Sequence, residues 1–288
     1  MDRSDSHVQS LMPATNISRR AFMVTSLAIG FELAVRPVSA QTITTDSNGL
    51  TVGEVKVPVA DGEIPGYRAM PASGGPFPTI LVIHEVFGVH EHIQDLCRRL
   101  AKQGYFAVAP ALFAREGDVA KLANINDIMA VVAKVPDRQV ASDLDSTVAW
   151  AKASGQANVA RLAVTGFCWG GRQVWLYAAH NHTLKAAVAW YGVLNWPKSD
   201  VAPQNPIDVA AEIDVPVLGL YGGADSNIPP EQIEALRAAL KSAGKTSDFV
   251  VYPDTPHGFN ADYRPSYRPA QAKDAWQRMQ AWFKDHGV

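Results

Sequence analysis

The segment Gly166-Phe167-Cys168-Trp169-Gly170-Gly171 follows directly on the apolar run 161–165. A Gly-x-nucleophile-x-Gly segment that leaves a strand and enters a helix holds its central side chain on a tight, strained turn above a sheet, beside backbone N–H groups. Cysteine at the centre points to acyl transfer through a thiol. Cysteine is also among the residue types most often fully buried. The flanking glycines and the helix that follows favour the nucleophile over a core thiol. A thiol attacks as thiolate, or while a base removes its proton, so the chemistry requires partners elsewhere in the chain.

His257, in Thr255-Pro256-His257-Gly258-Phe259, falls between the last expected strand and the last expected helix. An imidazole there lies at the same sheet edge as Cys168 and can take the thiol proton and return it to the leaving group; the plain alternative is a surface-loop histidine. Asp225 follows an expected strand through Gly222-Gly223-Ala224 and can fix the imidazole tautomer. The order nucleophile, acid, histidine is that of an α/β-hydrolase. Asp254 is a rival acid, but it stands too close in sequence to His257 to support it easily from across a site. His84-Glu85-Val86-Phe87-Gly88 follows the apolar run 79–83. Its Val86 N–H and the Trp169 N–H are the expected oxyanion donors. Glu85 is either an ordinary turn carboxylate or, beside an uncharged thiol, a group that holds or accepts the resting proton. His84-Glu85 and His90-Glu91-His92 invite a metal reading, but His84 ends a strand and no H-E-x-x-H helix is present. No metal or cofactor is expected.

The elements that must position these residues alternate along the chain. Strands are expected at 51–57, 64–70, 79–83, 105–109, 159–165, 186–190, 215–221 and 247–252. Helices are expected at 91–103, 142–153, 173–179 and 231–243, with a last one carrying Ala272, Ala275, Trp276, Met279 and Phe283 on one face. Residues 111–140 read as an excursion with short helices, and 193–212 as a Pro-rich loop. Strands alternating with helices imply an α/β fold with a mostly parallel sheet covered on both sides, and ligands bound beyond the carboxyl ends of its strands. One domain spanning residues 45–288 is expected.

Residues 1–40 stand apart. Ser18-Arg19-Arg20-Ala21-Phe22 precedes a short apolar stretch, and Val38-Ser39-Ala40 offers small residues at a cleavage site before Gln41. This resembles a twin-arginine signal peptide. It implies the Tat export machinery and a signal peptidase as partners of the precursor, and a periplasmic or secreted mature protein. The chain is otherwise ordinary: 288 residues, 47% hydrophobic, 19% charged, net charge −2. That balance supplies no basic face for nucleic acid. The two cysteines, Cys97 and Cys168, are expected as free thiols, because a bond between them would block the nucleophile. A monomer is expected.

Together, His84–Gly88, the run 103–110, the Gly166–Gly171 segment, Trp190-Tyr191-Gly192, Tyr221–Asp225 and His257-Gly258-Phe259 resemble the dienelactone hydrolase family of α/β-hydrolases over roughly residues 50–285. The resemblance implies a triad of Cys168, Asp225 and His257, with Glu85 contacting the resting thiol and helping to activate it. It also implies hydrolysis of a small-molecule lactone or ester. The chain departs from the family at the substrate carboxylate clamp. Ala261 stands where an arginine is expected, Arg264 is three positions away, and 124–135 contains no arginine. Arg115 and Arg138 flank that stretch without matching. Bidentate recognition depends on placement, so the family's substrate does not carry over automatically. Phe87, Trp190, Tyr191 and Arg264 are the expected substrate contacts. The competing reading is a non-catalytic binding module on a hydrolase scaffold, which requires His257 or Asp225 to point away from Cys168. A redox role would require Cys97 near Cys168.

Overall fold

The computed structural model describes residues 42–288; the expected leader and its cleavage site lie outside the described residues. Eight strands form one sheet: β1 (Leu50–Val59), β2 (Gly62–Pro71), β3 (Phe77–Ile83), β4 (Phe106–Pro110), β5 (Ala157–Phe167), β6 (Ala186–Trp190), β7 (Val217–Gly222) and β8 (Ser247–Tyr252). Their order is β1-β2-β4-β3-β5-β6-β7-β8. The β1–β2 hairpin pairs antiparallel, with Val57 opposite Ile64, and β2 is antiparallel to β4. Every other pairing is parallel.

Every residue of β4, β6 and β7 is buried. Burial of both alternations means helices cover both faces of the sheet, as continuous apolar strands require. The helices are α1 (Glu91–Lys102), α2 (Ile125–Val132), α3 (Asp137–Ala153), α4 (Trp169–His180), α5 (Pro230–Ser242) and α6 (Pro269–Asp285). In α6 the buried residues are Ala272, Ala275, Met279 and Phe283, the expected stripe, with Trp276 half-buried at its edge. The mostly parallel sheet with its two helical layers is the α/β-hydrolase fold.

Two helix starts differ from expectation by four residues or more, for physical reasons. Helix α3 starts at Asp137, five residues early, because Pro136 is its N-cap rather than a breaker. Proline is tolerated there, where no N–H is needed. Asp137 is then fixed by a paired bond from Arg172 (2.7 and 2.7 Å) and one from Gln173 (2.9 Å), which ties the start of α3 to α4. Helix α4 starts at Trp169, four residues early, since Cys168 itself is the turn.

Because β3, β5, β6, β7 and β8 run parallel as neighbours, their carboxyl ends share one edge of the sheet. Glu85, Cys168, Tyr191, Asp225 and His257 all come from the loops that leave those ends.

Candidate active site

Cys168 sits at φ 56°, ψ −116°, in backbone space that a side chain normally avoids. Holding it there costs about 1–3 kcal/mol, which the surroundings must offset. Its own N–H donates to the Trp190 carbonyl (3.0 Å), and its carbonyl accepts from Arg172 (3.2 Å) and Val193 (3.3 Å). The glycines on either side permit the turn by close approach. A Cβ on Gly166 would lie 2.5 Å from the Gly170 oxygen, and one on Gly170 would lie 2.4 Å from the Ile83 oxygen. Helix α4 therefore starts hard against the end of β3. The Trp169 N–H is the first of that helix and has no carbonyl four residues back to bind. Val86 follows β3 two residues beyond its neighbour His84, and both Val86 and Trp169 are buried.

His84 builds this floor. The Leu112 N–H donates to its Nε2 (3.1 Å), so the ring proton is on Nδ1 and donates to the Glu85 carbonyl (2.7 Å). The ring stacks on Trp169 at 5.8 Å. Burial pushes its pKa down to about 4, which keeps it neutral.

His257 and Asp225 meet as expected. The His257 Nδ1–H donates to Asp225 Oδ2 at 2.6 Å, and the Asn227 N–H donates to Oδ1 at 2.9 Å, so both carboxylate oxygens are occupied. Both side chains are buried. Burial works against the imidazolium, but the Asp225 carboxylate and the Cys168 sulfur outweigh it and raise the His257 pKa to about 10. Asp254 is exposed and takes no part in this contact.

Glu85 follows His84 in the loop after β3. It is buried, its Oε2 accepts from the Tyr263 hydroxyl at 2.7 Å, and His90 Nε2 stands 3.9 Å from the same oxygen. Among the described residues Glu85 Oε1 has no hydrogen-bond partner. The tight turns 258–261, 261–264 and 264–267 fold the chain after His257 back over the site. Arg264 comes with them, its guanidinium 6.0 Å over the Phe87 ring. Arg115, by contrast, is held by both oxygens of Asp143 (3.1 and 2.6 Å) and by Asp61.

Tyr191 is buried with its ring edge-on to His257 at 5.0 Å, at φ 37°. Trp190 is a correction. Its side chain is fully buried, stacked on Phe167 at 5.4 Å and packed against Phe259 and Trp276. It is a core residue, because at the last position of β6 its side chain turns toward the helix α6 layer. Cys97 is buried in α1 among Ile93, Leu96 and Leu100, and both cysteines are free.

A cysteine on a strained strand-to-helix turn, with a buried His–Asp pair beside it, can run nucleophilic acyl transfer. The model of the "Dienelactone hydrolase family" matches residues 64–287. This chain belongs to the dienelactone hydrolase family. Over the full length of both chains it is 61% identical to a protein of Methylorubrum extorquens named "Putative carboxymethylenebutenolidase". A protein of the same name from Escherichia coli K12 is 50% identical over 92% of this chain and 98% of that one. The crystal structure titled "Putative Dienelactone Hydrolase from Klebsiella pneumoniae" superposes with a TM-score of 0.80 at 51% identity, covering 82% of this chain and 98% of that one. An acylaminoacyl peptidase of Pyrococcus horikoshii shares the fold alone, with a TM-score of 0.64 at 17% identity over 84% of this chain and 44% of its own. This dienelactone hydrolase family member is accordingly an enzyme of hydrolase type.

Sequence reading missed Tyr263, His90, His92 and Asp262 as parts of the site. The available signal was the dense charged and aromatic stretch 262–268, which has neither helix nor strand periodicity.

Proposed function

We propose that the protein hydrolyses a small carboxylic ester or lactone, with Cys168 as nucleophile. The observation that carries this reading is the buried 2.6 Å bond from His257 to Asp225 with Cys168 on the strained turn beside it. Asp225 fixes the His257 tautomer; His257 carries the Cys168 proton as imidazolium, and the thiolate sulfur attacks the carbonyl carbon. The new oxyanion is received by the Val86 and Trp169 N–H groups. The C–O bond then breaks, and the alkoxide takes the proton from His257. Water, deprotonated by His257, attacks the thioester and releases the acid and the thiol. Replacing Cys168 by alanine is expected to abolish ester turnover with the fold intact; retained turnover in pure folded variant would overturn the mechanism.

The substrate carries a carboxylate in this reading, received by Arg264 beside Phe87. In a panel of lactones and aryl esters with and without a carboxylate, Arg264→Ala is expected to raise KM for the carboxylate-bearing members only. An equal effect on all members would make the protein a general esterase. Residues 1–40 act in the same reading as a twin-arginine leader that sends the folded enzyme to the periplasm. Replacing Arg19 and Arg20 by lysine is expected to hold the protein in the cytoplasmic fraction, and unchanged fractionation would remove that assignment.

A further inference from the structure

His84 has no part in the triad, yet its ring is held at both nitrogens and by two aromatic side chains. It is fully buried just past the end of β3, with Phe113 edge-on at 4.6 Å and Trp169 stacked at 5.8 Å. Its Nε2 accepts from the Leu112 N–H, in the loop after β4, and its Nδ1–H donates to the Glu85 carbonyl at 2.7 Å. The same carbonyl accepts from the Gly88 N–H at 3.2 Å, closing a turn over residues 85–88. The Glu85–Val86 peptide is trans, so its carbonyl and the Val86 N–H point in opposite directions. Holding the Glu85 oxygen toward the His84 ring therefore aims the Val86 N–H away from it. Among the described residues neither the Val86 N–H nor the Trp169 N–H has a hydrogen-bond partner, although both residues are buried. Orphaned donors of this kind are rare in a protein interior. They belong to segments in direct contact, since a Cβ on Gly170 would lie 2.5 Å from the His84 oxygen.

We propose that His84 is a positioning residue for the oxyanion hole: its Nδ1–H clamps the Glu85–Val86 peptide with the Val86 N–H turned toward the tetrahedral oxygen, and its ring braces Trp169, which carries the second donor. The inference rests on the reading of Cys168 as the nucleophile with those two N–H groups receiving the oxyanion. A neutral imidazole suits the task because it carries one donor and one acceptor at two corners of a rigid ring. The acceptor ties the ring to Leu112, and the donor is then left facing Glu85. A protonated ring would present Nε2–H to the Leu112 N–H, donor against donor. Burial prevents that by pushing the ring's pKa down to about 4. Donors fixed before the reaction need no reorganisation when charge develops. A peptide free to turn would lose that advantage and could point its carbonyl at the oxyanion.

The test compares a reaction that builds an oxyanion on Cys168 with one that does not. With trifluoroacetophenone the thiolate adds to the carbonyl carbon, forming a C–S bond and leaving the oxygen as an alkoxide. With iodoacetamide the sulfur is alkylated and iodide leaves. Both are run in a Cys97→Ala background, beside steady-state turnover of an aryl ester and thermal unfolding. His84→Phe keeps a ring against Trp169 but loses both hydrogen bonds. It is expected to weaken trifluoroacetophenone binding and to lower kcat by about 10²-fold each, the size of a lost oxyanion donor, with KM near wild type. Its rate of alkylation by iodoacetamide should be unchanged. His84→Asn, whose amide nitrogen is as far from Cβ as Nδ1 is, is expected to recover most of both losses. Unchanged kcat and ketone binding in His84→Phe, an equal fall in alkylation, or no recovery in His84→Asn would overturn the proposal. A wild type that is alkylated yet binds no ketone would overturn it as well. Should His84→Phe fold poorly, isotopically labelled wild type is read by NMR instead. The His84 ring proton is expected on Nδ1, and the Val86 and Trp169 amide signals should move downfield in the ketone adduct. A ring proton on Nε2, or an unmoved Val86 signal, overturns the proposal too. Ketone binding that depends on His84 in a protein that turns over no ester would sink the hydrolase reading and leave this inference standing.

Discussion

Cys97 and Cys168 are both buried, at 0% and 5% exposure, yet their surroundings prepare them for opposite fates. Cys97 occupies the apolar face of α1 among Ile93, Leu96 and Leu100, and burial pushes its thiol pKa far up. Cys168 stands on a turn of positive φ with the His257–Asp225 pair beside it. The side chain is the same in both places. Reactivity comes from the backbone that presents one sulfur and from the proton acceptor placed next to it.

The sharpest way to break this contrast is to exchange the loss of one thiol for the other. Cys168→Ala is expected to lower kcat/KM by about 10⁴-fold or more, in line with removal of a nucleophile from a triad. A smaller loss would mean that the strained turn serves packing. Asp225→Asn should lower kcat by about 10³–10⁴-fold, because the imidazole would be held in the wrong tautomer. A steady-state comparison on one aryl ester checks both variants, and an Asp225→Asn enzyme close to wild type would shift the orienting role to another group.

The pH dependence of stability separates the two sites further. His257 has its folded pKa raised to about 10 from 6.5. The unfolded state gives up that proton first as pH rises, so the folded state binds more protons between those values. The contribution is therefore complete below about pH 6.5 and lost as pH rises toward 10. Denaturant unfolding of wild type and His257→Gln from pH 6 to 10 should show the wild-type advantage shrinking steadily, whereas a constant difference would contradict a raised pKa. The smallest effect belongs to Cys97→Ala. It should cost about 1–2 kcal/mol of stability through lost packing and leave turnover unchanged. Reduced turnover in that variant would mean that the two thiols communicate.

Much of this site was readable along the chain because each part announces itself locally. The Gly166–Gly171 segment between an apolar run and a helix, Gly222-Gly223 before Asp225, and His257 between the last strand and helix each mark the end of a strand. Parallel strands bring such ends to one edge whatever lies between. The parts that escaped depend on contacts between loops. Tyr263 reaches Glu85 across 178 positions, and nothing near either residue encodes that meeting. Trp190 failed for a different reason: at a strand end, a neighbour relation does not say which of two alternating aromatics faces the core. Pro136 shows a third kind of ambiguity, since a proline marks both the end of one helix and the permitted start of another.

The central claim is that the Cys168 sulfur forms a bond to the acyl group. Rapid acid quench of the enzyme with an activated aryl ester, followed by peptide mass analysis, tests it most directly. The expected result is one acyl group on the peptide containing Cys168, formed within the first turnover and absent from the Cys97 peptide. Turnover of the ester with no adduct, or with the adduct on another residue, would contradict it.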